Sequence, residues 1–171
     1  DPKALEELVL RYTPLTRGLI YSFLGPTGET DDILQEVFYQ TLRSLRHLKE
    51  PGKFNSWLYK ITRRVSNAWR RQRRDSVPLD DLPEVEARPE GIPDEDRERE
   101  QTLGQVRRMV QGLPDIYREV VILRYFNKVD YETMADMLEL TPSAVNARLV
   151  KARKILRRRL DPLHREGLFH G

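Results

Sequence analysis

The sequence predicts an all-α protein built from two small helical domains joined by an acidic linker. Three observations carry this. Apolar residues recur at helical spacing through residues 1–74 and again through 94–160. Nowhere does a convincing strand alternation appear. Between the two helical stretches lies a segment with Pro78, Pro83, Pro89, Gly91 and Pro93, too poor in apolar residues to order itself around a core.

The elements follow in order. Leu5, Leu8, Val9 and Tyr12 form one helical stripe, Pro14 predicts a break, and Leu15, Leu19, Ile20 and Phe23 form a second. Gly25-Pro26-Thr27-Gly28 is a turn cluster. Thr30 is a candidate N-cap, with Asp31 and Asp32 favourable in the first turn beyond it. That helix carries Ile33, Leu34, Val37, Phe38, Leu42 and Leu45, and Pro51-Gly52 marks or follows its end. A further helix begins between Phe54 and Trp57, with Leu58, Ile61, Val65 and Trp69 on its apolar side. Beyond the linker (75–93), Leu103, Val106, Met109 and Val110 make a stripe ending at Gly112. Leu113-Pro114-Asp115 opens the next helix, with Pro114 in its first turn and Ile116, Val120 and Leu123 facing a core. A short helix after Val129 or Asp130 holds Tyr131, Met134, Ala135 and Leu138. Thr141-Pro142 pairs an N-cap with a first-turn proline and starts the last helix, with Val145, Leu149, Ala152 and Leu156 inward. Residues 161–171 form a tail.

Composition narrows the function. With 171 residues, 33% charged and 8% aromatic, the chain suits two thin cores better than one large enzyme core. The absence of cysteine excludes disulfides and thiolate metal sites. The three histidines, His47, His164 and His170, lack metal-motif spacing. No apolar run approaches the roughly 20 residues of a membrane span, and no signal-peptide pattern is visible. These observations predict a soluble, cytoplasmic protein with no metal and no cofactor. Asp31-Asp32 is better explained by the helix dipole than by metal-dependent catalysis, and no matching acidic or histidine cluster stands elsewhere, so the chain is expected not to be an enzyme.

Charge is strongly segregated. Residues 57–74 hold seven basic and no acidic side chains; residues 75–100 hold eleven acidic and three basic, a net −8; residues 141–160 again hold seven basic and none acidic. Two basic blocks around an acidic one suggest contact with a polyanion. The strongest local signal, Tyr131 to Ile155, is a helix-turn-helix. Its second helix offers Ser143, Ala144, Asn146, Ala147, Arg148 and Lys151 near its start, where Asn and Arg suit base edges; Arg153 and the cations after it suit phosphates. In the first half, Phe54, Trp57, Tyr59 and Trp69 interleave with Lys53, Lys60, Arg63, Arg64, Arg70 and Arg71, a pattern suited to unpaired bases and their backbone. For Trp57 and Trp69 a place in the core is the stronger reading. Asp32, Gln35, Glu36, Gln40 and Arg43 share one polar face of their helix.

Taken in order, these pieces resemble the extracytoplasmic-function (ECF) sigma factors of bacterial RNA polymerase. The amino-terminal motif of type D-x-x-Q-E-x-F stands as Asp32 to Phe38, followed by a segment similar to F-x-x-W-L-Y-x-I at Phe54 to Ile61 and by the arginine run. The carboxy-terminal half resembles L-P-x-x-x-R-E-V-x-x-L-R-Y at Leu113 to Tyr125, and V-x-x-R-L-x-x-A-R at Val145 to Arg153. The resemblance covers nearly all of the chain except the linker and tail. It implies a region 2 bundle at 1–74 and a region 4 helix-turn-helix at 94–160. It implies that Asp32, Gln35, Glu36, Gln40 and Arg43 bind core RNA polymerase. It further implies that Lys53, Asn55, Trp57, Lys60, Arg63, Arg64, Asn67 and Arg71 hold the −10 promoter element as single strand. The −35 duplex then falls to Ser143, Ala144, Asn146, Ala147, Arg148, Lys151 and Arg153. Promoter DNA, core polymerase and an anti-sigma protein are the implied partners, and a monomer is expected when free. Arg64 and Ala68 stand where many relatives carry Asn and Asp, and Glu139 stands in a turn that often holds glycine. From the residues alone, a stand-alone helix-turn-helix regulator remains the alternative. The long polar linker predicts variable orientation of the two halves in the free protein.

Overall fold

The structure is a computed structural model that describes residues 1–76 and 94–165, with side chains at 1–74 and 99–160. The linker's expected anchors, Val77, Leu79, Leu82 and Val85, and the side chains of the tail lie outside the described residues. Seven α-helices and no strand occur among the described residues: α1 (Pro2–Leu24), α2 (Thr30–Ser44), α3 (Phe54–Ser76), α4 (Asp94–Gln111), α5 (Asp115–Val121), α6 (Tyr131–Leu138) and α7 (Pro142–Arg165). The all-α expectation holds. Both α3 and α7 run past the expected boundaries, so the first residues of the predicted tail are helical.

Helices α1, α2 and α3 form the first unit, around Ile20, Ile33, Val37, Phe54, Leu58, Ile61 and Val65. Thr16, Thr41 and Thr62 are fully buried in it, and each hydroxyl donates to the carbonyl four residues back (2.8, 2.7 and 2.8 Å), so none is left unsatisfied. The predicted break at Pro14 does not occur: α1 continues through it. Pro14 removes only the bond to the Leu10 carbonyl, and both residues lie on an exposed face where water replaces it. The cap of α2 also differs. Glu29, not Thr30, precedes the helix, and the Thr30 hydroxyl donates to the Thr27 carbonyl (3.0 Å). Glu29 instead accepts from Trp69 Nε1 (2.9 Å) and pairs with Arg73 (3.4 Å), tying the start of α2 to the end of α3.

The second unit comprises α4 to α7. Helix α5 widens into a π-helical turn over Ile122–Phe126, where the Asn127 N–H reaches the Ile122 carbonyl (3.0 Å). Asp130 caps α6 by accepting from the Thr133 N–H (2.8 Å), which holds the Asp130 carboxyl below its ordinary pKa. Thr141 caps α7, its hydroxyl accepting from the Ala144 N–H (3.1 Å), as its pairing with Pro142 predicts. Between the two helices Glu139 closes α6 in the left-handed conformation (φ 55°, ψ 46°), and the Leu140 N–H returns to the Ala135 carbonyl (2.9 Å). Ile116 departs from expectation: it is 45% exposed, because Val120, Val121 and Leu123 already fill the inward side of α5.

The two units pack on one another. Leu19 of α1 and Tyr59 of α3 join Val120, Leu123, Met134, Met137, Val145 and Leu149 in one continuous core. Gly18 lies against Asn127 so closely that a Cβ there would fall on the Asn127 amide, which donates to the Pro14 carbonyl (2.9 Å). The last turn of α1 carries no cation of its own, yet its carbonyls are capped: Gln111 donates to Tyr21 (3.2 Å), Arg118 to Ser22 (2.8 Å), and Arg70 to Phe23. Linker composition describes the linker and carries no information about complementary surfaces on the units it joins.

Two substitutions test this packing within single units, by urea denaturation followed by circular dichroism. Leu58→Ala is expected to cost about 2–5 kcal/mol, the range for emptying a filled core site. Thr141→Ala is expected to cost roughly 0.5–2 kcal/mol, the range for a lost N-cap.

Candidate nucleic-acid interface

Helix α3 builds the first surface. Its buried positions recur on one side and leave Lys60, Arg63, Arg64, Asn67 and Arg71 exposed on the other. Lys53 and Asn55 sit at its start, Lys53 paired with Glu50 (3.2 Å). Trp57 is only half-exposed, packed on the first core beside Phe54 (5.9 Å between rings), and Trp69 is fixed by its bond to Glu29. Both tryptophans are therefore part of the framework. Arg64 donates to Gln40 of α2 (2.9 Å), and Gln40 donates to Glu36 (2.6 Å), so this chain of polar groups links α3 to the polar face of α2. On that face Asp32, Gln35 and Arg43 are exposed without a neighbour across a unit boundary, and Tyr39 adds an exposed aromatic ring beside them.

Helix α7 builds the second surface. Ser143, Asn146, Ala147 and Lys151 are exposed, and Ala144 is half-buried. Val145, Leu149 and Ala152 are fully buried and fix the rotation of the helix. Two predicted contacts are engaged within the same unit: Arg148 pairs with Glu119 (3.5 Å), and Arg153 donates to the Tyr125 hydroxyl (3.2 Å).

The α3 surface faces the second unit across a cleft of about 560 Å³ lined by Tyr59, Lys60, Arg63, Arg64, Asn67 and Arg71 on one side and by Ile116, Glu119, Met137, Leu138, Glu139 and Arg148 on the other, with α7 contributing Arg148. Across it the Tyr59 hydroxyl donates to Glu119 (2.8 Å), and Lys60 pairs with Glu139 (2.5 Å). Burial pushes the Glu119 carboxyl above its ordinary pKa, and the Tyr59 hydroxyl and Arg148 partly offset that. The Tyr59 hydroxyl is pushed up as well, first by burial and then by the Glu119 charge. Lys60 holds the Glu139 carboxyl below its ordinary value through their hydrogen bond. Sequence reasoning found the cations but not the two carboxylates that face them. Both had a signal: Glu139 its place in a turn suited to glycine, and Glu119 its place in the R-E-V motif, though neither signal gave its partner.

A larger groove of about 650 Å³, between the first turns of α1 and the segment before α3, is lined by Leu8, Tyr12, Leu45, Leu48 and Phe54 among others, and by none of the predicted site residues. No cluster of potential metal ligands occurs among the described residues, and no helix among them is long and apolar enough to cross a membrane.

Comparison with known proteins agrees with this layout. Residues 8–75 match the sigma-70 region 2 family and residues 103–156 the sigma-70 region 4 family. The chain is 28% identical to the RNA polymerase sigma-H factor of Pseudomonas aeruginosa, covering 98% of this chain and 91% of that protein. It is 25% identical to the ECF RNA polymerase sigma-E factor of Escherichia coli K12, covering 96% and 91%. Among solved structures, CnrH in complex with the cytosolic domain of CnrY matches with a TM-score of 0.68 at 23% identity, over 95% of this chain and 90% of CnrH. The sigma factor RpoE of Bartonella quintana, solved with the anti-sigma factor NepR, matches with a TM-score of 0.67 at 19% identity, over 93% and 98%. Both halves are matched, in the order and spacing the motifs require, and the chain belongs to the extracytoplasmic-function sigma factors of the sigma-70 family.

Proposed function

We propose that this chain directs core RNA polymerase to specific promoters through the residues described above, and that it has no catalytic activity of its own. The observation that carries this is the pairing of two cationic helical surfaces of different kinds in one chain, each inside a matched sigma-70 region. The α2 face with Asp32, Gln35, Glu36, Gln40 and Arg43 docks on the polymerase. The α3 face with Lys53, Asn55, Lys60, Arg63, Arg64, Asn67 and Arg71 tracks the single-stranded −10 element, with Trp57 supporting it from the core. Opening DNA is then a binding problem: captured bases offset unstacking costs of a few kcal/mol each. The start of α7 reads the −35 duplex, with Asn146 on base edges and Ser143, Ala144, Ala147, Arg148, Lys151 and Arg153 around it. The protein acts in the cytoplasm, where the polymerase is, and an anti-sigma protein holds it inactive. The match of one chain to both sigma-70 regions favours this reading over a stand-alone regulator, which as a dimer prefers palindromic sites.

The Gln35→Ala, Glu36→Ala double variant is expected to lose core polymerase binding in a fluorescence titration while the second unit still binds duplex DNA. Equal loss of both activities is the contrary result. Lys151→Ala is expected to weaken duplex binding to a similar degree on all sequences and to flatten the dependence of log affinity on log salt by about one unit. Loss confined to one sequence would make Lys151 a base-reading residue.

A further inference from the structure

We propose that Glu119 is a positioning residue for sequence reading: it aims the Arg148 guanidinium at one base pair of the −35 duplex and cancels its charge, so that Arg148 adds discrimination and no general attraction to DNA. This role rests on the reading of α7 as the helix that meets the −35 duplex, and adds a residue of α5 that acts through α7.

Arg148 stands at the edge of the recognition face. Ala147 and Lys151 beside it are exposed, Leu149 is fully buried, and the Arg148 side chain is 27% accessible. An arginine so placed can swing along its helix unless something holds it, and Glu119 does. The backbone on both sides of Glu119 is fixed within the second unit. Val120 is fully buried, and Arg118 donates to the Gln111 carbonyl (2.9 Å) and pairs with Asp115 (2.6 Å). Buried Val145, Leu149 and Ala152 fix the rotation of α7 opposite it. The Glu119 carboxylate, only 14% accessible, uses both oxygens: Oε2 accepts from the Tyr59 hydroxyl (2.8 Å) and Oε1 from Arg148 Nη1 (3.5 Å). Turning the carboxylate away strands a buried charge, so it keeps this direction.

The arginine is thus held at one nitrogen. A guanidinium carries five N–H donors in a rigid planar fork. Anchoring Nη1 sets the plane and leaves the remaining donors to a base edge, where a fork of fixed direction suits guanine O6 and N7. The pair is electrically neutral, so it releases few counterions from DNA. General attraction is left to the exposed Lys151 and Lys154 of the same helix. Glutamine cannot replace Glu119 in this role: an amide has one acceptor oxygen, and two donors must be met.

The test uses the full chain and two probes. A library of short randomised DNA duplexes, sequenced after binding, reads preference; a fixed mixed-sequence duplex titrated at several salt concentrations reads general attraction. Glu119→Gln is expected to lose roughly tenfold of the preference at one base pair of the enriched motif and to leave the other positions unchanged. It is also expected to bind the fixed duplex more tightly, with the plot of log affinity against log salt steeper by about one unit, because Arg148 is then an unpaired cation. Arg148→Ala is expected to lose the same preference without the steeper slope, and adding Glu119→Gln to it to change neither quantity further. Glu119→Asp keeps the charge on a shorter arm, so it is expected to lose the preference with the slope unchanged; it also serves if the glutamine variant does not fold, which circular dichroism reports. A merely structural Glu119 weakens binding to all sequences alike and leaves the slope alone, and that result overturns the role. So does a double variant with less preference at that base pair than Arg148→Ala. An enriched motif untouched by either Glu119 variant overturns the positioning alone, whereas no enriched motif with the unmodified chain overturns the reading of α7 and the positioning with it.

Discussion

Helix α1 has to bury two faces at once, and the arrangement of both units depends on that. Leu19 and Ile20 are adjacent in sequence, about 100° apart around the helix, and both are fully buried. Ile20 belongs to the core shared with α2 and α3, whereas Leu19 belongs to the core shared with α5, α6 and α7. The same division recurs in α3, where Leu58 faces the first core and Tyr59 the second. Full burial of such a side chain stabilises by roughly 1.5–3 kcal/mol relative to exposure. An isolated first unit would expose Leu19, Tyr59 and part of Phe23 along one line, and the second unit covers that line.

Covering it brings polar groups into contact, and their pairing follows from the cost of burying charge. Glu119 is carried into the boundary by the helix that supplies Val120 and Val121. A buried carboxylate is tolerated when hydrogen-bonded and paired, and here Tyr59 supplies the hydrogen bond while Arg148 supplies the charge. Arg148 is thereby held at the base of the recognition helix. A residue expected to read base edges is, in this conformation, neutralising a carboxylate. The electrostatics of the boundary and of the proposed DNA surfaces are one system, since several side chains belong to both.

Much of the fold was legible because helical periodicity records which side of a helix is buried. It placed α2, α3, α6 and α7 closely, and Asp130 and Thr141 announced their helix starts through the chemistry of their side chains. Periodicity does not record what buries a residue, so Leu19 and Ile20 read as one stripe although they serve two cores. Pro14 read as a break because a proline's missing N–H matters only where the opposing carbonyl is buried, and there it faces water. Ile116 read as core because an apolar side chain at the right spacing carries no mark of a filled interior. The predicted site residues are present on coherent surfaces of α2, α3 and α7. What the spacing did not convey is which are already engaged: Gln40 and Arg64 bind each other across two helices, Arg148 binds Glu119, and Lys60 binds Glu139.

The boundary between the units divides its work between two kinds of contact. The Lys60–Glu139 pair is largely exposed, with side chains 59% and 70% accessible, and such pairs contribute little in water. They set orientation rather than strength. The apolar contacts of Leu19 and Tyr59 and the Gly18–Asn127 contact supply the strength, and none of them is satisfied by DNA. Separating the units would expose Leu19 and Tyr59 to water, a cost that the exposed ion pair at their edge does not set.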